Sequence, residues 1–130
     1  MSKILQITQA KPNPAGKDKA GNIPKPEQLL AEWVNIKNIG TEAVPFSTIS
    51  LSHTLFDQNC RNTNRTEVYW TGGSDSLQPN KVIRIQTGNF KDKHLINPSD
   101  DIGNDWNSFA NKDNFVLNNR CGDTITVAWT

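Results

Sequence analysis

The chain has little with which to staple itself or hold a metal. Of its 130 residues two are cysteines, Cys60 and Cys121, which allow one disulfide at most, and no CxxC pair supports a zinc knuckle. Both sit among polar, turn-forming residues, so two free thiols on loops are expected. No apolar run approaches the ~20 residues that a membrane span requires. Met1–Thr8 is short and mixed in polarity, unlike a secretory leader, and a chain that stays in the cytoplasm is the expectation. An excess of charge is missing too: the net charge is +1, which gives no whole-molecule field to draw in a polyanion or a membrane surface. Catalytic signatures are absent as well. There is no GxSxG, no HExxH and no phosphate-binding glycine loop. The two histidines, His53 and His94, have no partner placed by sequence; His53 precedes Cys60 by one loop, but nothing orients such a pair. A non-enzyme with no cofactor is expected.

What the chain does have is alternation. A length of 130 residues fits one domain, and a chain of that size buries enough surface to fold without staples. Sustained helical periodicity is missing, whereas period-two runs recur. Lys3–Gln9 alternates around Leu5 and Ile7. Lys11–Pro26 carries four prolines and two glycines and must be irregular; Glu27–Ala31 reads as one helical turn. Glu32–Asn38 then places Val34 and Ile36 on one face and Trp33, Asn35 and Lys37 on the other, before a turn at Asn38–Thr41. Ala43–His53 resumes with Ile49 and Leu51 inward. Asp57–Thr66 reads as a loop and Glu67–Trp70 as a short strand. Lys81–Thr87 is the clearest strand, with Ile83 and Ile85 buried and Arg84 and Gln86 pointing to solvent. Gly88–Lys112 is a long connection of the kind that packs on itself or has a job. Asn114–Asn118 and Asp123–Trp129 close the chain as a hairpin through Asn119–Gly122. About seven to nine short strands with turn signals between them predict an all-β Greek-key sandwich. Its interior rests on few large side chains, Trp33 and Trp106 among them.

Four pieces, in order, carry a family likeness. Asn13-Pro14-Ala15-Gly16-Lys17-Asp18 follows the first strand. Glu32-Trp33-Val34-Asn35-Ile36-Lys37-Asn38 is followed by Gly40. Leu77-Gln78-Pro79 precedes Val82-Ile83-Arg84-Ile85 and Thr87-Gly88. Trp106-Asn107 precedes Leu117-Asn118-Asn119, Gly122-Asp123 and Ile125-Thr126-Val127. Together these resemble the lamin tail domain, an immunoglobulin-like module of nuclear lamins and of bacterial proteins, over nearly the whole chain. Asn80 stands where that family usually has glycine, and His53–Thr66 and Gly88–Lys112 are longer than its connections. The resemblance implies an immunoglobulin-like fold and a non-catalytic structural or adaptor role in a larger assembly, with a protein partner or a second copy as its target.

The alternative is a ligand-binding module. Lys11, Lys17, Lys19 and Lys25 with Arg61, Arg65 and Arg120 offer phosphate contacts for nucleic acid, and Tyr69-Trp70 is the nearest aromatic platform for carbohydrate. The acidic stretch Asp100–Asp105, with Asp101 and Asn104, has oxygen donors for calcium but lacks a closing glutamate. Solvated turns with side-chain caps account for it more simply. Asn64-Arg65-Thr66 is a sequon, meaningful only in a secreted eukaryotic chain.

Overall fold

Cross-strand pairs of branched apolar residues organise the molecule. The computed structural model describes residues 2–11, 29–56, 59, 61–112, 116 and 125–130. The strands are β1 (Leu5–Lys11), β2 (Trp33–Asn38), β3 (Val44–Pro45), β4 (Ser50–Phe56), β5 (Asn62–Thr71), β6 (Ser76–Leu77), β7 (Val82–Gln86), β8 (Trp106–Phe109) and β9 (Ile125–Ala128). β1, β2, β7 and β8 form a four-stranded sheet in that order, β5, β4 and β9 a three-stranded one, and β3 pairs with β6. In the larger sheet Val34 lies opposite Ile85 and Ile36 opposite Ile83. These four share one buried cluster with Leu51, Tyr69 and Trp70 of the smaller sheet and with Val44, Phe46, Ile49 and Leu77. Each such side chain, fully buried, contributes roughly 1.5–3 kcal/mol. The protein is all-β, and the alternation of Glu32–Asn38 and Lys81–Thr87 placed their inward residues correctly.

Proline and asparagine set the strand ends. The Ala43–His53 run is not one strand: Pro45 lacks an N–H to continue a ladder, and Phe46–Thr48 forms a 3₁₀ turn before β4. Asn38, fully buried, closes β2. Its Nδ2 donates to the carbonyls of Leu77 at 2.8 Å and Glu42 at 2.9 Å, and its Oδ1 accepts from the Gly40 N–H at 2.9 Å. Asn80 adopts the left-handed region (φ 66°) in the turn before β7, a conformation asparagine tolerates without glycine. Asn38→Ala is expected to lower stability by about 2 kcal/mol, because the buried Leu77 carbonyl and the part-buried Glu42 carbonyl lose a donor together. Urea unfolding followed by tryptophan fluorescence checks it.

The structure corrects the sequence in four further places. β5 starts at Asn62, so it takes in half of the expected Asp57–Thr66 loop. The connection after β7 contains a strand, β8, which runs parallel to β7 with Ile83 beside Trp106 and Gln86 beside Phe109. Arg84 and Gln86 do not face solvent; they are 2% and 0% exposed. Trp106 is not a core residue, being 38% exposed. The expected strand Asn114–Asn118, apart from Val116, and the turn Asn119–Gly122 lie outside the described residues. Val116 is buried in the core. The Asn13–Asp18 motif and both cysteines also lie outside the described residues.

Candidate functional site

The second face of the four-stranded sheet is polar and covered. β2 and β7 bring Asn35 beside Arg84 and Trp33 beside Gln86, while β1 brings Lys11 beside Trp33. Over them lies the chain between β7 and β8, which includes the 3₁₀ segments Phe90–Leu95 and Pro98–Asp100. Asp100, buried, is its anchor. Its Oδ1 accepts from Trp33 Nε1 at 3.0 Å and pairs with the Lys11 ammonium. Its backbone carbonyl accepts from Arg84 Nη1 at 2.9 Å. Arg84 Nε donates to Asn35 Oδ1 at 2.8 Å, and the guanidinium carbon lies 3.8 Å from the Trp33 ring centroid. Burial pulls the Arg84 guanidinium below its ordinary pKa, and the carboxylates of Asp100 and Asp101 oppose that pull. An arginine stays protonated regardless, so this is a permanent buried cation balanced by acceptors, a π face and an anion. Alongside it, the fully buried Glu32 accepts from Thr87 Oγ1 at 2.7 Å and from the Val116 N–H at 2.8 Å.

These contacts account for the residues that the sequence marked. Glu32, Trp33, Asn38 and Arg84 are framework: they join strands to the segments above them. The acidic stretch is divided among separate duties. Asp100 holds the cover, Asp101 Oδ1 accepts from Asn107 Nδ2 at 2.6 Å, and Asp105 Oδ2 accepts from the Val82 N–H at 2.9 Å. Among the described residues no three His, Cys, Asp or Glu side chains converge to hold a metal ion. His53 Nε2 meets Glu67 Oε1 at 3.3 Å and packs edge-on to Tyr69; Cys60 lies outside the described residues, so the His53–Cys60 pairing does too. His94 is exposed on a 3₁₀ segment. Of the cations proposed for phosphate contacts, Lys11 is engaged by Asp100, Arg61 and Arg65 are exposed, and Lys17, Lys19, Lys25 and Arg120 lie outside the described residues.

Tyr69 and Trp70 form no platform, since both are buried. An open aromatic site exists instead beside β8. Phe46, Trp70, Gly73, Ser74, Ile83, Trp106, Asn107 and Ser108 line a pocket of about 230 Å³. The Trp106 ring stands edge-to-face against Phe46, with centroids 5.2 Å apart. Trp70 Nε1 donates to Ser108 Oγ at 2.8 Å. Asn107 is fixed from two sides, by Asp101 and by Asn104, whose Nδ2 donates to Asn107 Oδ1 at 2.9 Å. Among the described residues no ionisable side chain lines it. Trp106 occupies the inward side of its strand beside Ile83, but among the described residues β8 ends the sheet and leaves the indole half covered.

The chain matches no family model, no curated protein and no solved structure. The candidate site therefore stands on its geometry alone. No sequence signal pointed to the pocket: its lining comes from four separate stretches, and Trp106 reads as core by residue type. Among the described residues no helix is long and apolar enough to cross a membrane.

Proposed function

We propose that this chain is a non-catalytic adaptor domain that docks on a protein partner or on a second copy of itself. We also propose that it is an immunoglobulin-like Greek-key sandwich of the lamin-tail kind. The likeness of Glu32–Gly40, Leu77–Gly88 and Trp106–Val127 to that family supports the second part.

The observation that carries the first part is β5. It has ten residues, ends the three-stranded sheet, and pairs only with β4 among the described residues. Arg65, Thr66, Glu67 and Val68 are all exposed, Val68 by 56%. A strand edge of this kind offers unpaired N–H and C=O groups to another chain, and strand addition is a common mode of recognition. The left-handed residue Asn64 (φ 58°) and the register shift between Thr54 and Phe56 break the edge toward its start. A second shift, between Leu51 and Ser52, falls at Tyr69 inside the remaining run Thr66–Thr71, and both limit indiscriminate pairing.

A photo-crosslinking residue at position 68 is expected to capture a protein in cells of the source organism, or a second copy in the purified protein. The same residue at position 37, on β2, which has a strand on both sides, is expected to capture neither. Val68→Lys should abolish association while changing stability by no more than about 0.5 kcal/mol, because the side chain is exposed. A strict monomer by light scattering, together with no adduct from position 68, rejects the adaptor reading.

A further inference from the structure

We propose that the pocket beside β8 binds one neutral sugar ring, a pyranose presented alone or within an oligosaccharide. This is a second binding surface, which meets the end of β5 at Trp70.

Size comes first. At about 230 Å³ the pocket falls below the ~300–1,000 Å³ of sites that take drug-sized ligands, so it suits a single ring. Charge comes second. Among the described residues the lining has no ionisable side chain, which gives a phosphate or a carboxylate no cation to pair with and makes its desolvation costly. The chemistry of the wall comes third. A pyranose has an apolar face of C–H groups and a rim of hydroxyls. The C–H face is attracted to the negative π face of an exposed indole, and Trp106 supplies one, held in place by Phe46. The rim needs neutral donors and acceptors, which Ser74 and Ser108 provide.

One of these groups is oriented in advance. Ser108 Oγ accepts from Trp70 Nε1, so its own hydroxyl proton is left to donate to a guest. Gly73 leaves the rim clear: a Cβ there meets no atom within 4 Å.

The test is an NMR titration of the purified protein with maltose, cellobiose, lactose and N,N′-diacetylchitobiose, with N-acetyltryptophanamide as the aromatic control. At least one sugar is expected to move the Trp106 and Trp70 indole N–H signals. The Trp33 signal should stay fixed, because that N–H is bonded to Asp100 under the opposite cover. Trp106→Ala should weaken binding about tenfold, the loss expected for one aromatic stacking contact. Gly73→Leu should abolish binding by filling the mouth, and it faces no steric obstacle to folding. The proposal is overturned if no sugar moves the two signals at roughly ten millimolar. It is equally overturned if the shifts survive both substitutions, or if only N-acetyltryptophanamide produces them.

Discussion

Arg84→Ala is expected to destabilise the protein by about 3–5 kcal/mol, the range for breaking a buried charge network by removing one member. Arg84 is nearly fully buried. Its loss orphans Asn35 Oδ1 and the Asp100 carbonyl and uncovers the Trp33 ring. The carboxylate of Asp100 keeps Trp33 Nε1 and Lys11, so the cover should loosen before the strands part. Thermal unfolding should show a midpoint lowered by roughly 10 °C or more, and limited proteolysis should cut first between β7 and β8. Arg84→Met separates the causes. It restores packing on the indole without any donor, so it should recover part of the midpoint and little of the protease resistance. Asp100→Asn keeps an acceptor for Trp33 and should fall between the two. An Arg84→Ala variant with an unchanged midpoint would mean that the cover rests on something other than this cluster.

Gly72→Ala is the second severe change. A Cβ at that position would lie 2.1 Å from the Phe46 carbonyl oxygen and 2.6 Å from its carbon. Those are backbone atoms held by the 3₁₀ turn, where the Ile49 N–H donates to the same oxygen at 2.9 Å. No rotamer change relieves the clash, so either the end of β5 or the turn must move. The expected cost is about 3 kcal/mol, the upper part of the range for overpacking. Denaturant titration measures it, with Gly73→Ala as a neighbouring control that should be nearly neutral, since its Cβ meets open space. Equal midpoints for the two variants would contradict the close approach.

The contrast between Ile83 and Arg84 explains what the sequence could and could not convey. Period-two alternation identifies the face that is apolar, and Val34, Ile36, Ile83 and Ile85 were all legible that way. It assigns the other face to water by default. Arg84 and Gln86 break that default because a second, polar-lined layer lies on them, and a buried polar residue is written in the same letters as an exposed one. β8 was hidden for a related reason. Four residues, Trp-Asn-Ser-Phe, are too few to display a period, and their partner β7 lies far back in the chain. Trp106 misled by its chemistry, since a large aromatic reads as interior, and only the position of β8 at the end of its sheet exposes it. The pocket was beyond sequence reading altogether, because it exists only where Phe46, Trp70 and Trp106 are brought together.

Running β8 in the same direction as β7 forces the chain to return the whole length of the sheet before it can pair again. The residues between those strands are therefore the route itself. An ordinary surface loop tolerates trimming and insertion. Here a deletion of a few residues would pull Asp100 away from Trp33 and Arg84 and Asp105 away from Val82, so the covering layer and the tie that holds the start of β8 would be lost in one event.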